Sequence, residues 1–217
     1  DQSSRFAAAN RRGVFPSFSL GWNAGQEEFI ENLGIFDRLK FRGSYGILGN
    51  QNSIRDRYYP SFGTVTTGLY SIFGVGENLN QGATLISLGN PSLRWETARQ
   101  TDIGLEFGLF KGRLQAEIDW YNRFTYDIIA AVPIPDYVGS QDDPVVNTAK
   151  VRNRGWEFSL NWRQRIGTFS WNAGGNLSPV QNRVISLNDQ KAEIFAAFLQ
   201  GDPATRTAPG SPIGSFY

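Results

Sequence analysis

The sequence predicts an all-β chain: part of the wall of an antiparallel transmembrane β-barrel. Three observations carry that expectation. Long segments alternate apolar and polar residues with a period of two, the arms of that pattern run about 9 to 11 residues each, and short turns alternate with much longer connections. The length of 217 residues does not by itself point to a partial domain.

The alternation is sharpest over 100–109. Thr101, Ile103, Leu105, Phe107 and Leu109 interleave with Gln100, Asp102, Gly104, Glu106 and Gly108, which places the two sets on opposite faces of one strand. Lys111-Gly112 reads as a tight turn, because glycine accepts positive φ at little cost. The pattern then resumes, with Leu114, Ala116, Ile118 and Trp120 on one face and Gln115, Glu117, Asp119 and Tyr121 on the other. The two arms predict an antiparallel hairpin.

A second hairpin follows the same logic. Trp156, Phe158, Leu160 and Trp162 oppose Glu157, Ser159, Asn161 and Arg163. After a turn at 164–167, Phe169, Trp171, Ala173, Gly175 and Leu177 oppose Ser170, Asn172, Gly174, Asn176 and Ser178. Nearer the start, Phe18, Leu20 and Trp22 form one stripe, and Leu39, Phe41 and Tyr45 form another. Residues 27–30 between them predict a helical turn or a loop. Residues 126–132 are expected to add a separate strand, stopped by Pro133 and Pro135, and 183–187 a weaker one. Residues 47–99 and 133–153 read mostly as irregular excursions, with local pairing at most.

Composition agrees with β-structure. Sixteen Phe, eight Tyr and six Trp accompany 24 Gly spread along the chain and only ten Pro. Lysine plus arginine (21) nearly balance aspartate plus glutamate (20), so no net field calls for a nucleic-acid partner. Cysteine and histidine are absent, which excludes disulfides, thiolate metal sites, His-based triads and the usual zinc ligand sets. No apolar run reaches the roughly 18 to 20 residues of a membrane helix, so membrane entry is expected through strands.

Alternation also fits a soluble β-sandwich, in which the apolar stripe would face a core and the polar stripe water. Three features favour the barrel. The arms exceed the usual strand of about 5 to 6 residues. Trp22, Trp120, Trp156 and Trp162 sit near the ends of apolar stripes, where membrane girdles place aromatics. The polar faces carry closely spaced carboxylates and arginines, which a hydrated lumen accommodates more readily than a core. Six to ten strands would leave unpaired edges in lipid, so a closed barrel needs further strands, from the same protein or from other subunits.

Several strings then resemble the SusC/RagA-like branch of TonB-dependent outer-membrane transporters. They are Ser4-Arg5-Phe6 with Asn10-Arg11-Arg12-Gly13 and Phe15-Pro16-Ser17, residues 39–46 (LKFRGSYG) with Gly49-Asn50-Gln51, and residues 90–97 (NPSLRWET) with residues 101–105 (TDIGL). Asp119-Trp120-Tyr121-Asn122-Arg123, Asn153-Arg154-Gly155-Trp156-Glu157 and Gly214-Ser215-Phe216-Tyr217 extend the resemblance over nearly the whole chain. Gln2, where the family commonly has glycine, and the sequence Gly174-Gly175 with Pro179 depart from its pattern.

That resemblance implies a 22-stranded barrel, of which residues 1–217 are a partial wall with extracellular loops. It also implies a plug domain and a TonB-binding segment, neither recognisable in these residues, and a SusD-like surface lipoprotein as a lid. The expected cargo is a glycan or an oligopeptide, the surroundings are outer-membrane lipid, and neither cofactor nor catalysis is implied. Tyr58, Tyr59, Tyr70, Phe73, Asn78, Tyr137 and Asn147 are candidate ligand contacts, because aromatic faces stack on sugars or apolar side chains and amides offer hydrogen bonds. Loop packing is the plainer role for each. Glu117, Glu157 and Arg163 are candidate plug-facing groups, with a hydrated wall as the plainer role. Asp142-Asp143 is a weak signal for a hard cation. A structural or adhesive β-rich surface protein remains the alternative to transport, and a paired-carboxylate glycosidase is disfavoured because no pair has a fixed separation.

Overall fold

The computed structural model describes residues 1–51, 57–63, 70–71, 80–81, 83–132, 134–140, 142–187, 193–199 and 202–216. Its strands are β1 (Ser17–Trp22), β2 (Phe36–Asn50), β3 (Ser61–Gly63), β4 (Tyr70–Ser71), β5 (Asn80–Gln81), β6 (Thr84–Ser87), β7 (Glu96–Leu109), β8 (Leu114–Ala131), β9 (Val145–Ile166), β10 (Phe169–Leu177), β11 (Val180–Ser186), β12 (Ile194–Leu199), β13 (Asp202–Thr207) and β14 (Ser215–Phe216). One short helix, α1 (Glu28–Glu31), lies between β1 and β2.

The main sheet runs in the order β1, β2, β7, β8, β9, β10, and β11 also pairs with β9. Strands β1 and β2, β7 and β8, and β9 with β10 and β11 pair antiparallel, with Phe18 opposite Tyr45, Ile103 opposite Trp120 and Phe158 opposite Leu177. Strands β12, β13 and β14 form a second sheet, while β3 pairs with β6 and β4 with β5.

Both hairpins form, with differences that have physical causes. The first turn, at residues 110–113, places Phe110, Lys111 and Gly112 at φ of 59°, 58° and 76°, so the left-handed conformation is not confined to the glycine. The Gly112 N–H donates to the Asp37 carboxylate at 2.7 Å, which anchors that turn. In the second hairpin the ladder continues to Ile166 opposite Phe169, leaving only Gly167 and Thr168 as the turn rather than four residues. Two-residue connections fit the twist of paired strands, so the ladder extends as far as the backbone permits.

Three expectations are corrected. Residues 126–132 add no separate strand: β8 is continuous to Ala131. Its register with β7 is regular up to Thr97 opposite Tyr126, and Asp127 then takes φ 55°. The excursion at 133–153 is shorter than expected, because β9 begins at Val145. The excursion at 47–99 is likewise trimmed by β2 reaching Asn50 and β7 starting at Glu96. Pro179, which has no ladder donor, does interrupt pairing: β10 ends at Leu177 and β11 resumes at Val180 opposite Gly155.

The chain divides into two compact units. The loop unit comprises Asp1–Val14, Gly49–Glu96 and Asp127–Ala149; the strand unit comprises Phe15–Leu48, Thr97–Tyr126 and Lys150–Tyr217. In the loop unit Phe6, Leu93, Trp95, Val145 and Ala149 are buried, and the Phe6 and Trp95 rings lie 5.4 Å apart. In the strand unit the large apolar side chains point the other way. Phe18, Leu20, Ile103, Leu160, Phe169 and Leu177 are all exposed, although cross-strand pairing gathers them on one face. Among the described residues no helix is long and apolar enough to cross a membrane.

Candidate functional site

The opposite face of the strand unit is polar and built around Arg42. Strand alternation puts Arg42 of β2, Asp102, Gly104 and Glu106 of β7, and Glu117, Asp119, Tyr121 and Arg123 of β8 on this side. The Arg42 guanidinium meets Asp119 at 2.7 and 2.8 Å, Glu106 at 3.3 Å, and also pairs with Glu117. Arg38 and Lys40 extend the pairing to Glu106, so three cations face three carboxylates. Beside them Asp102 accepts hydrogen bonds from Ser44 at 3.0 Å and from the Gln100 amide at 3.0 Å.

Gly104 makes this possible. A Cβ there would stand 2.3 Å from Asp119 Oδ1 and 2.4 Å from Arg42 Nε, so the guanidinium reaches across β7 only because that position has no side chain. The concave surface above the network measures about 700 Å³ and includes Lys40, Arg42, Asp102, Asp119, Arg123 and Glu157. Each ion pair here is partly exposed, which limits its contribution to about 0 to 1 kcal/mol. The arrangement holds long side chains in place and presents mixed charge; it does not isolate a reactive carboxylate.

Of the residues expected to face a plug, Glu117 belongs to the Arg42 network and Glu157 lines the same concavity. Arg163 shares their face, is exposed, and stands opposite Asn172. Its backbone N–H donates to the Arg113 carbonyl at 2.7 Å. Arg42 as the hub was not legible in the sequence, although Gly104, on the neighbouring strand that the guanidinium crosses, was a signal for it.

The loop unit is held by side chains that bond to backbone. The Asn147 amide donates to the carbonyls of Arg94 (2.8 Å) and Asp127 (2.7 Å), and its oxygen accepts the Arg94 N–H at 3.0 Å. These bonds pin the chain through Asn147, the loop-packing role that stood beside ligand contact in the sequence. Arg94 also grips both Asp127 carboxylate oxygens, at 3.0 and 2.8 Å. That hydrogen-bonded pairing raises the Arg94 pKa, in opposition to the desolvation that lowers it. Asn90 donates to the Val145 carbonyl and caps the Ser92 N–H, and Asn10 donates to the Leu93 carbonyl. The Trp95 indole N–H donates to the Arg11 carbonyl at 3.3 Å. The strings at 4–13 and 90–97 are therefore parts of one interlocked structure.

Tyr58 and Tyr59 form a tilted pair with ring centroids 4.0 Å apart, and Tyr59 is exposed. Hydrogen bonding with Tyr58 is the main cause that raises the Tyr59 pKa. Tyr137 sits on a 3-10 turn, Asp136–Val138, and is 89% exposed. Tyr70 stands in β4, paired with Gln81, while Phe73 and Asn78 lie outside the described residues. Asp142 pairs with Arg57 at 2.9 Å and Asp143 accepts the Ile134 N–H at 3.3 Å, so the two carboxylates have separate protein partners.

A long-stranded antiparallel sheet with one exposed apolar face, one charged face, tight turns at one end and a built loop unit defines the wall of an outer-membrane β-barrel. Comparison with known proteins carries this further. The model for the family described as TonB dependent receptor-like, beta-barrel, matches residues 1–211, and the chain belongs to that family. TonB-dependent receptor P3 of Formosa agariphila is 32% identical over the whole of this chain, which covers 21% of that receptor. TonB-dependent receptor SusC of Bacteroides thetaiotaomicron is 32% identical over 86% of the chain, covering 18% of its own length. The structure of the RagAB peptide importer in its closed-closed state superposes with a TM-score of 0.82 at 25% identity, covering 99% of this chain and 22% of that one. The chain thus spans about a fifth of the length of the relatives it matches, SusC and the RagAB importer among them.

Proposed function

We propose that these residues form a sector of a closed 22-stranded barrel in a TonB-dependent outer-membrane transporter that imports glycans or oligopeptides with a SusD-like surface lipoprotein. The observation that carries this reading is the opposed chemistry of the two sheet faces. Exposed Leu20, Ile103 and Leu160 suit hydrocarbon, while the Arg42 network suits a hydrated interior occupied by a plug. Residues 1–217 supply wall and extracellular loops; the plug and the TonB-engaging segment belong to other parts of the longer protein. The sheet ends on β1 and β10, whose outer backbone groups need partners in lipid, as neighbouring barrel strands would provide.

In this reading the Arg42 network and Glu157 border the plug and keep its orientation by charge pairing, as does Arg163. Tyr58, Tyr59, Tyr70, Phe73, Asn78 and Tyr137 are the ligand-contacting residues, and Asn147 holds the chain at Arg94 and Asp127. The relation to a peptide importer supports oligopeptide cargo. The test is uptake of labelled oligopeptides and oligosaccharides by cells carrying the full-length protein or lacking it, with and without a proton uncoupler. Uptake of one class that needs both the protein and the gradient is expected. Uptake unchanged by loss of the protein, across both classes, overturns transport.

A further inference from the structure

On the apolar side of the strand unit, the stripe ends abruptly in positive charge. Along β9 the outward positions read Ile166, Gln164, Trp162, Leu160, Phe158 and Trp156, and then Arg154, Arg152 and Lys150. The register pairs Arg154 with Gln181 and Arg152 with Arg183 on β11, so a fourth cation joins the same face. Arg99 of β7 lies alongside, over the Tyr126 ring at 5.9 Å, and Arg152 lies over the Phe124 ring at 5.4 Å. All five cations are exposed, and among the described residues none pairs with a carboxylate, in contrast to the balanced network on the opposite face.

Height along the strand explains the placement. Trp156 to Ile166 is ~10 residue steps, roughly 33 Å along a strand rising ~3.3 Å per residue and roughly 25 Å along the membrane normal at a tilt near 40°. That equals the thickness of the apolar band of an outer-membrane barrel, so Trp156 marks one interface and Arg154 and Arg152 stand in the headgroup layer just beyond it. Strand β9 ends at the tight Gly167-Thr168 turn, so its Lys150 end is the long-connection end, which such barrels direct outside the cell. Arg152, Arg154, Gln181, Arg183 and Ile185 enclose a recess of about 70 Å³, and Trp120 and Trp156 border a larger one beside Arg154.

From this geometry we infer that the cluster Lys150, Arg152, Arg154 and Arg183 is a binding site for the phosphate groups of an anionic lipid in the outer leaflet. The inference rests on the barrel reading above. Guanidinium groups match phosphate oxygens in pairs, Gln181 adds a polar rim already held by Arg154 at 2.7 Å, and the adjoining Ile185 and Trp156 accept acyl chain. A soluble acidic partner fits less well, because the surface is continuous with the face occupied by lipid.

The test uses the full-length transporter in nanodiscs of neutral phospholipid, doped with phosphorylated lipid A or with its dephosphorylated form, and native mass spectrometry of the retained lipid. Retention of the phosphorylated form is expected to fall at least tenfold in the triple variant R152Q/R154Q/R183Q and to be largely kept in R152K/R154K/R183K. Wild-type protein is expected to prefer the phosphorylated lipid by a similar factor. Equal retention by the Gln variant, equal retention of the dephosphorylated lipid, or displacement by millimolar inorganic phosphate overturns the lipid site. Failure of the wild-type protein to enter nanodiscs would instead sink the barrel reading, and heat-modifiable gel migration confirms that each variant is folded.

Discussion

The loop unit and the strand unit solve opposite problems with the same residue types. In the loop unit aromatic and aliphatic side chains turn inward: Phe6 is 1% exposed and Trp95 8%, and the chain around them is tied by Asn10, Asn90 and Asn147 to backbone groups. In the strand unit the ladders satisfy the backbone, so side chains are released to meet two different solvents, with Leu20 at 78% exposure on one face and Asp119 in the arginine network on the other. Burial in the first unit is the signature of a core in water. Exposure in the second is the signature of a wall whose partner is lipid.

The sharpest way to break that contrast is to truncate the loop unit's core. Trp95→Ala in the full-length protein should cost about 3 to 5 kcal/mol of stability in that unit, read as protease cleavage within 49–96 at lower denaturant concentration. Cleavage unchanged from wild type would show that these rings do not form a working core.

Next in size is an arginine placed on either face of β9. Leu160→Arg, near the middle of the outward stripe, should cost about 2 to 4 kcal/mol and reduce membrane assembly, whereas Ser159→Arg, on the polar face, should be tolerated. Equal effects of the two would remove the distinction between lipid and lumen. Smaller still, Gly104→Ala forces Arg42 and Asp119 apart, with an expected loss of about 1 to 3 kcal/mol measured by the temperature of heat-modifiable migration. A second change, Arg42→Ala, should relieve part of that loss, because it removes one of the two clashing groups.

The smallest expected effect on stability, and the most informative on transport, is Glu157→Lys. The altered barrel should assemble normally, yet seat its plug poorly and leak small antibiotics across the outer membrane more than Ser159→Lys does. Matching leakage and uptake in the two variants would assign Glu157 to the hydrated wall alone.

The sequence by itself determined the parts governed by period-two patterning. Opposite faces for Ile103 and Asp102, or for Trp162 and Arg163, follow from strand geometry before any contact is known. The turn near Gly112 and the interruption at Pro179 were legible for the same local reason, since one residue accepts positive φ and the other lacks a ladder donor. The role of the family string at 90–97 was not legible: Asn90, Leu93 and Trp95 act through Val145, Asn10, Phe6 and Arg11, which are distant in sequence. Nor could patterning show that Asn147 would spend its amide on backbone, or that β8 would continue past Asp127 to Ala131. Tertiary structure alone decided these points, as it did the meeting of Arg42 with Asp119 across Gly104 and of Arg152 with Arg183. Alternation fixes which face a side chain takes, but only the register between strands fixes which neighbour it finds there.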